Sequence, residues 1–509
     1  MYPGTFATTT PDRPAVIMTD TGRTVTYGEL EERSTRLANH LRDQGLGVGS
    51  VVAILASNAP EYLEAYWACL RSGMYAGGVN HNLSPDEIAY ILDNSDAAAL
   101  IISADLADLA VAALERVEGV DLRVVFGGTA AGFDDYESAL AAASPLAPDD
   151  QPRGADMLYS SGTTGRPKGV KPELLGLQVD EPGVPLIDAF APVFGFDPAT
   201  IYLSPAPLYH AAPLRFCGLV IATGGTVLVM PRFDARASLE AIERYRATHS
   251  QWVPTMFVRM LKLPEETRTA YDLSSMRCTI HAAAPCPVEV KKAMHEWWDG
   301  EIWEYYGATE GNGLTVVAME DWLAHEGTVG KAVLGTIRIC DALGNELPPG
   351  EIGTVYVERD RVTFTYHKDP EKTRAGQHPE HETWSAVGDI GYLDEEGYLY
   401  LTDRQAFTII SGGVNIYPQE IEDCLTLHPK VSDVAVIGVP DEEMGQRVLA
   451  VVQAAPGHDP GEGLVEELAT FVRSRLAGFK QPREWAFTDD MPRSATGKLV
   501  KRRLQDQFD

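Results

Sequence analysis

The sequence is short of positive charge, of paired cysteines and of long apolar runs. Its 509 residues carry 42 Lys and Arg against 73 Asp and Glu, a formal net charge of −31. Such an excess repels phosphate backbones and anionic lipid surfaces, which argues against nucleic acid as a partner. An acidic chain can still bind ATP where a local site supplies backbone N–H groups, a Lys or Arg, and Mg²⁺. Six cysteines, at 69, 217, 278, 286, 340 and 424, form no CxxC pair. That spacing suits a reducing compartment better than a disulfide framework. The apolar stretch from Phe216 to Met230 is broken by Thr223-Gly224-Gly225-Thr226. It is shorter than the ~20 apolar residues that span a bilayer, and reads as a buried helix, a turn and a strand. Met1 to Pro14 has neither the charged n-region nor the apolar h-region of a secretory signal. The expectation is a cytoplasmic protein with no transmembrane segment.

What is present is ordinary globular material. Apolar residues make up 45% and charged residues 23%, and the 46 Gly and 33 Pro show no triplet period, which excludes disordered and collagen-like chains. The pattern alternates strand-like runs with helices. Val51 to Ala56 is a short apolar run, followed by Pro60 and a helical stretch from Glu61 to Arg71. Ser84-Pro85-Asp86-Glu87 forms a capping box with Pro at the first helical position. Ala99 to Ile102 is another buried-strand run. Ala130 to Asp156, rich in Ala, Pro, Gly and Asp, reads as a surface connection. The alternation resumes with strand Thr226 to Met230 and a helix from Ser238 to Thr248 capped by Asp234, then Met276 to Ala284 and Val288 to Trp298. From Val329 to Val357 short strands and Gly/Pro turns suggest a small β-subdomain. The fold class is α/β. A large N-terminal domain of layered α/β with that β-subdomain (residues 1–402) precedes a small α+β C-terminal domain (403–509), joined near residues 403–406.

The most informative stretch is Tyr159-Ser160-Ser161-Gly162-Thr163-Thr164-Gly165-Arg166-Pro167-Lys168-Gly169-Val170. Small hydroxyl and Gly residues let backbone N–H groups approach phosphate oxygens, and Lys168 adds a point charge. It is not a Walker A loop, because Pro167 and Gly169 flank the Lys where that motif needs Gly before it and Ser or Thr after it.

This stretch resembles the phosphate-binding loop of the adenylate-forming superfamily: acyl- and aryl-CoA synthetases, luciferases and the adenylation domains of nonribosomal peptide synthetases. The resemblance continues in order along nearly the whole chain. Tyr305-Tyr306-Gly307-Ala308-Thr309-Glu310 is similar to the segment in which an aromatic lies near adenine and the Glu holds Mg²⁺. Trp384-Ser385-Ala386-Val387-Gly388-Asp389 matches the segment whose Asp binds the ribose hydroxyls. Asp403-Arg404 resembles the start of the hinge, with the Arg also reaching the nucleotide. Ser411-Gly412-Gly413-Val414-Asn415-Ile416-Tyr417-Pro418-Gln419-Glu420 resembles the Gly hairpin that lines a thiol tunnel. Pro492-Arg493-Ser494-Ala495-Thr496-Gly497-Lys498 resembles the loop carrying the catalytic Lys.

The resemblance implies the following site. ATP would lie on Ser160, Ser161, Gly162, Thr163, Thr164, Gly165 and Lys168, with Ala283, Ala284, Pro285, Tyr305, Tyr306, Gly307, Ala308 and Thr309 around the base. Asp389 and Arg404 would hold the ribose side, and Gly412 and Gly413 the acceptor tunnel. Glu310 and Thr163 would hold Mg²⁺. Lys498, His210, Thr163, Glu310 and Arg404 would be catalytic, and the acyl pocket would be lined by His210, Trp252, Ala282, Ala283, Tyr305 and Gly307. Adenylation forces a carboxylate against a phosphate, so positioning and charge neutralisation carry the rate.

Two departures stand out. The family usually has Gly-Gly-Ala-Pro where this chain has Ala282-Ala283-Ala284-Pro285, which should narrow the pocket. A charged hinge residue is replaced by Ala406. His378-Pro379-Glu380-His381-Glu382 reads as a polar loop rather than a zinc site. The cluster Lys498, Lys501, Arg502 and Arg503 reads as a solvated helix face or a contact for CoA phosphates.

The expected reaction is ATP-dependent activation of a small carboxylic acid, with CoA as the favoured acceptor. An amide-forming ligase using an amino acid or amine is the alternative, and a silent acyl-nucleotide-binding regulatory protein is a further one. The motifs do not name the acid or an oligomeric state.

Overall fold

The computed structural model describes residues 2–160, 167–404, 407–411, 414–441, 444–493 and 499–508. Two parallel-rich sheets build the larger part. The first has six strands in the order Asp134–Asp135, Leu122–Phe126, Ala97–Ser103, Val51–Leu55, Tyr75–Gly78 and Ala155–Asp156, all parallel. The second has nine, and its centre runs Glu301–Gly307, Cys278–His281, His249–Trp252, Ile201–Ser204, Thr226–Val229 and Pro14–Met18 in parallel. Strands buried on both faces must be apolar throughout, and Val51–Leu55 and Thr226–Val229 are buried at every position. A four-stranded antiparallel sheet runs Thr336–Cys340, Gly353–Glu358, Trp384–Leu393 and Leu399–Arg404. Beyond it a separate sheet built around Val431–Asp441 and Gly445–Ala454 has its own apolar core, closed by helices Pro418–Thr426 and Glu462–Arg473. The fold is α/β, with a large N-terminal and a small C-terminal domain.

Local signals explain most element ends. Ser84 and Glu87 exchange both capping-box hydrogen bonds, with Pro85 at the first helical position of Pro85–Asn94. Asp234 accepts from the Ala237 N–H at the start of Ala235–Tyr245. Phe216 to Met230 is the end of helix Ala211–Ala222, a turn, and strand Thr226–Val229. No described helix is long and apolar enough to cross a membrane.

The stretch from 130 to 156 corrects the reading of a surface connection. It holds the capped helix Tyr136–Ala142 and the strand Ala155–Asp156 at the edge of the first sheet. The anchor is Tyr136, fully buried, whose hydroxyl donates to Glu64 at 2.8 Å. One aromatic decides the packing where Ala, Asp and Pro composition suggests only exposure. The basic cluster also departs from expectation, since Lys501 is buried and paired with Glu422 at 2.9 Å. His378 is buried too, its Nδ1 accepting the Glu380 and His381 N–H groups, so that loop is built on a packed ring.

One buried ionic group sits under the centre of the second sheet. Glu304 lies opposite His281 in the parallel register of Glu301–Gly307 and Cys278–His281. Its carboxylate pairs at 2.7 Å with Lys291 of helix Val288–Trp297, and Lys291 also lies 4.4 Å from the centroid of the Trp322 ring. Burial raises the Glu304 carboxyl, opposed by Lys291, and burial together with Lys291 holds His281 neutral. Removing one partner strands a buried charge, whereas removing both is far cheaper. Lys291→Met is therefore expected to cost about 3–5 kcal/mol. Lys291→Met with Glu304→Leu should recover most of that loss, read from urea denaturation midpoints.

Candidate active site

The strand ends explain where the site lies. Chain leaving the carboxyl ends of parallel strands opens a crevice that helices do not cover. Here Ile201–Ser204 leads to His210, Cys278–His281 leads to Ala282 and Ala283, and Glu301–Gly307 leads to Ala308, Thr309 and Glu310. Together with the strands Leu158–Ser160 and Lys168–Pro172 these surround a cavity of about 1510 Å³. Its lining includes Lys168, His210, Trp252, Ala283, Tyr305, Gly307, Ala308, Thr309 and Glu310.

The polar groups are linked to one another. Tyr366, on the strand Phe364–Tyr366 that pairs with Lys168–Pro172, donates its hydroxyl to Glu310 Oε1 at 2.8 Å. The Lys168 ammonium sits 5.0 Å from the centroid of the same ring. One tyrosine thus meets both groups, the carboxylate through its hydroxyl and the ammonium through its ring. Glu310 Oε2 has no hydrogen-bond partner among the described residues and lies at the cavity. A carboxylate oxygen that faces a cleft is the kind of ligand a hard divalent cation uses. Tyr306 donates to Asp389 Oδ2 at 2.6 Å, tying the end of the central sheet to the four-stranded sheet. Arg359 donates to the Asn312 carbonyl at 3.2 Å and Asn312 to that of Ser385 at 3.4 Å, which pins the loop beyond Glu310 to the same sheet.

His210 precedes helix Ala211–Ala222, its ring 4.4 Å from that of Tyr209. The loop bearing it is held by Asn58, whose amide donates to the Ala206 and Met230 carbonyls and accepts from the Leu208 N–H. Tyr305 packs its ring 5.1 Å from Phe190 and 5.7 Å from Phe216, and burial raises its hydroxyl, which stays neutral. Trp252 is buried, its indole donating to Ser250 at 2.5 Å and its ring packed against Trp298 and Phe233. Ala282, Ala284, Pro285, Tyr306 and Asp389 are not among the residues that line it.

Several expected site residues lie outside the described residues: Ser161, Gly162, Thr163, Thr164, Gly165, Ala406, Gly412, Gly413 and Lys498. Ser160 and Arg404 end strands Leu158–Ser160 and Leu399–Arg404, and Asp389 pairs with Arg404 in register. On either side of the Lys498 loop, Arg493, Val500 and Arg502 line the cavity. Arg493 is anchored there by Asp433, Nη2 to Oδ1 at 2.6 Å. Sequence reasoning missed Tyr366, Asn58 and the Arg215–Asp156 pair. Tyr366 and Asn58 belong to none of the motifs read from the sequence, and their partners reveal them.

Comparison with known proteins gives the family. The AMP-binding enzyme model matches residues 5–367, and the AMP-binding enzyme C-terminal domain model matches 420–498. The chain belongs to this family of adenylate-forming enzymes. It is 35% identical over 494 residues to a feruloyl-CoA synthase of Amycolatopsis, covering 96% of this chain and 94% of the relative. It is 30% identical over 512 residues to the long-chain-fatty-acid–CoA ligase FadD13 of Mycobacterium tuberculosis, covering 99% and 97%. The solved amide bond synthetase McbA of Marinactinospora thermotolerans superimposes with a TM-score of 0.82 at 29% identity, covering all of both chains.

Ala283 has a backbone cost. Its φ is +74°, in the left-handed region that favours Gly. A Cβ there costs about 1–2 kcal/mol, offset by roughly 0.5–1 kcal/mol of extra unfolded-state entropy for Gly. Ala283→Gly should therefore stabilise the protein by about 0.5–1 kcal/mol, seen as a higher urea midpoint. A lower midpoint would mean that the methyl group packs better than its backbone suggests.

Proposed function

We propose that this chain is an ATP-dependent carboxylate-activating ligase. In the first step a carboxylate oxygen attacks the α-phosphate of ATP, forming acyl-AMP and expelling pyrophosphate. In the second, the CoA thiol attacks the acyl carbon, giving acyl-CoA and AMP as the thiol proton is lost. The observation that carries the reading is the convergence on one cavity of Lys168, Glu310 with its partner Tyr366, and Arg493 and Arg502 flanking the Lys498 loop. A chain of net charge −31 gathers cations where two anions must meet.

Each residue takes a limited part. Ser160 through Gly165 and Lys168 would bind the phosphates, and Asp389, oriented by Tyr306, would accept hydrogen bonds from ribose with Arg404 beside it. Ala284, Pro285 and Tyr305 to Thr309 would flank the base. Lys498 would neutralise charge gathering between carboxylate and α-phosphate. Glu310 with Thr163 would hold Mg²⁺, which supplies charge neutralisation at the phosphates when bound. His210, packed on Tyr209, would face the incoming carboxylate and gate the acyl pocket. Residues 403–406 would form the hinge on which 403–509 turns, replacing the Lys498 loop by the hairpin at Gly412 and Gly413 for thiol transfer.

CoA is favoured as acceptor because curated relatives spanning nearly all of the chain are named CoA synthases or ligases. The amide-forming alternative has one specific support, the full-length likeness to an amide bond synthetase. Separate reactions with CoA and with an amino-acid panel, read by mass spectrometry, test the choice. Acyl-CoA is expected in the first. Amide in the second with no acyl-CoA in the first would overturn the thiol assignment.

Lys498→Ala should slow acyl-AMP formation by about 10²–10³ and leave transfer from supplied acyl-AMP close to wild type. Gly413→Leu should do the reverse, because a side chain would fill the space a pantetheine arm needs. Equal losses in both half-reactions for Lys498→Ala would contradict the alternating arrangement.

A further inference from the structure

A hydrogen bond joins the cavity-bearing part of the chain to the C-terminal sheet, and the proposed chemistry gives it no role. Helix Pro254–Leu261 follows directly on Gln251, Trp252 and Val253, which line the cavity. Met256, Phe257 and Met260 hold it in the core, and the Phe257 ring stands 5.4 Å from that of His281. Its eight residues carry the chain about 12 Å away from the lining. Lys262 follows at the helix end. Its ammonium donates to the Val431 carbonyl at 2.9 Å, across 169 residues of sequence.

Two cations meet the C-terminal sheet at this point. Val431 is fully buried and opens the strand Val431–Asp441. Val431 faces Ala454 and Asp433 faces Gln453, so Ser432 is an extra residue, a bulge that bends the strand. Asp433 accepts from Arg493 through both carboxylate oxygens, and from the Val434 N–H at 2.8 Å. Burial lowers the Lys262 ammonium, and the charge of Asp433 opposes that effect. One carboxylate thus feels Lys262 from the N-terminal part and Arg493 from its own. Arg493 lines the cavity and pairs with Leu499 in an antiparallel bridge, and the Val500 N–H donates to the Pro492 carbonyl at 2.7 Å. The base of the Lys498 loop is therefore closed, and Arg493 ties it to the place where Lys262 docks.

We infer that Lys262 is a positioning residue for acyl-AMP formation, docking the C-terminal domain so that Arg493 and the base of the Lys498 loop meet the cavity. This rests on the carboxylate-activating reading, with 403–509 turning between steps, and adds the contact that selects the first pose. A hydrogen bond from a charged donor is strong enough that losing it shifts a two-pose equilibrium about tenfold. The contact belongs to that pose alone. When 403–509 turns for acyl transfer, Val431 leaves the end of a helix that stays behind, and Lys262 has no part in the second step. The competing role is local, because a cation at a helix C-terminus offsets the charge of the last carbonyls and stabilises that helix only.

The experiment uses the full-length protein and whichever of ferulate, benzoate, octanoate and palmitate wild type turns over fastest. Lys262→Met should lower kcat of acid-dependent pyrophosphate–ATP exchange about tenfold, with KM for ATP held within about twofold. Transfer of the same acyl group from supplied acyl-AMP, to CoA or to the amino acid that wild type uses, should stay within about twofold. Lys262→Arg keeps the charge and a donor and should retain about half of the exchange rate or more. Lys430→Met removes the neighbouring lysine, which pairs with Glu467 at 2.6 Å instead, and should change neither step. Hydrogen–deuterium exchange reads the contact without substrate: Lys262→Met should speed uptake at 430–434 as well as at the end of its own helix. An unchanged exchange kcat, equal losses in both half-reactions, or faster uptake confined to 254–263 would overturn the inference and leave carboxylate activation standing. Absence of acid-dependent exchange in wild type would overturn both.

Discussion

The burial of one carboxylate, Glu304, is the constraint from which the rest of the site follows. It sits opposite His281 in the register of two parallel strands, and Lys291, from the helix after the first of them, compensates its charge at 2.7 Å. Because an unpaired charge there is costly, the helix Val288–Trp297 and both strands are locked together. The lock lies three residues before Gly307 and one before Ala282. The chain leaves both strands from a fixed frame, and the loops carrying Ala283 and Glu310 inherit their positions from it.

That rigidity reaches the cavity through a few hydrogen bonds rather than through loop packing. Tyr306 carries it to Asp389, Arg215 carries it to Thr309, and Arg359 with Asn312 carries it beyond Glu310. Tyr366 then contacts both Lys168 and Glu310. Preorganised charge of this kind costs no rearrangement when negative charge develops, which is where an enzyme joining two anions gains most. Arg493 and Arg502 also line the cavity, and Arg493 is held by the local partner Asp433.

Much of this was legible in the sequence, for physical reasons. Capping at Ser84 and Asp234 is local, so the residues that end a helix stand beside it. The alternation of apolar runs and helical stretches gave the α/β class because parallel strands must be buried on both faces. The stretches at 159–170, 305–310 and 384–389 are each contiguous in the chain, so a resemblance carried by them shows in a single run of residues. What could not be read depends on distant partners. Tyr136 turns an apparent surface run into a packed helix by reaching Glu64, 72 residues away. Arg215 meets Asp156 across 59 residues, and Asn58 meets Leu208 across 150. Lys501 looks like part of a solvated basic face until Glu422 is seen beneath it. Ala283 shows in sequence only as a departure from Gly, and its left-handed backbone gives that departure a cost.

The central claim is that this frame activates a carboxylate with ATP before any acceptor arrives. Exchange of labelled pyrophosphate into ATP, with Mg²⁺ and a carboxylic acid but with neither CoA nor an amine, measures that step alone. The account predicts exchange that depends on both the acid and Mg²⁺. An acid that the enzyme converts to product in the presence of its acceptor, yet that supports no exchange without it, would contradict it.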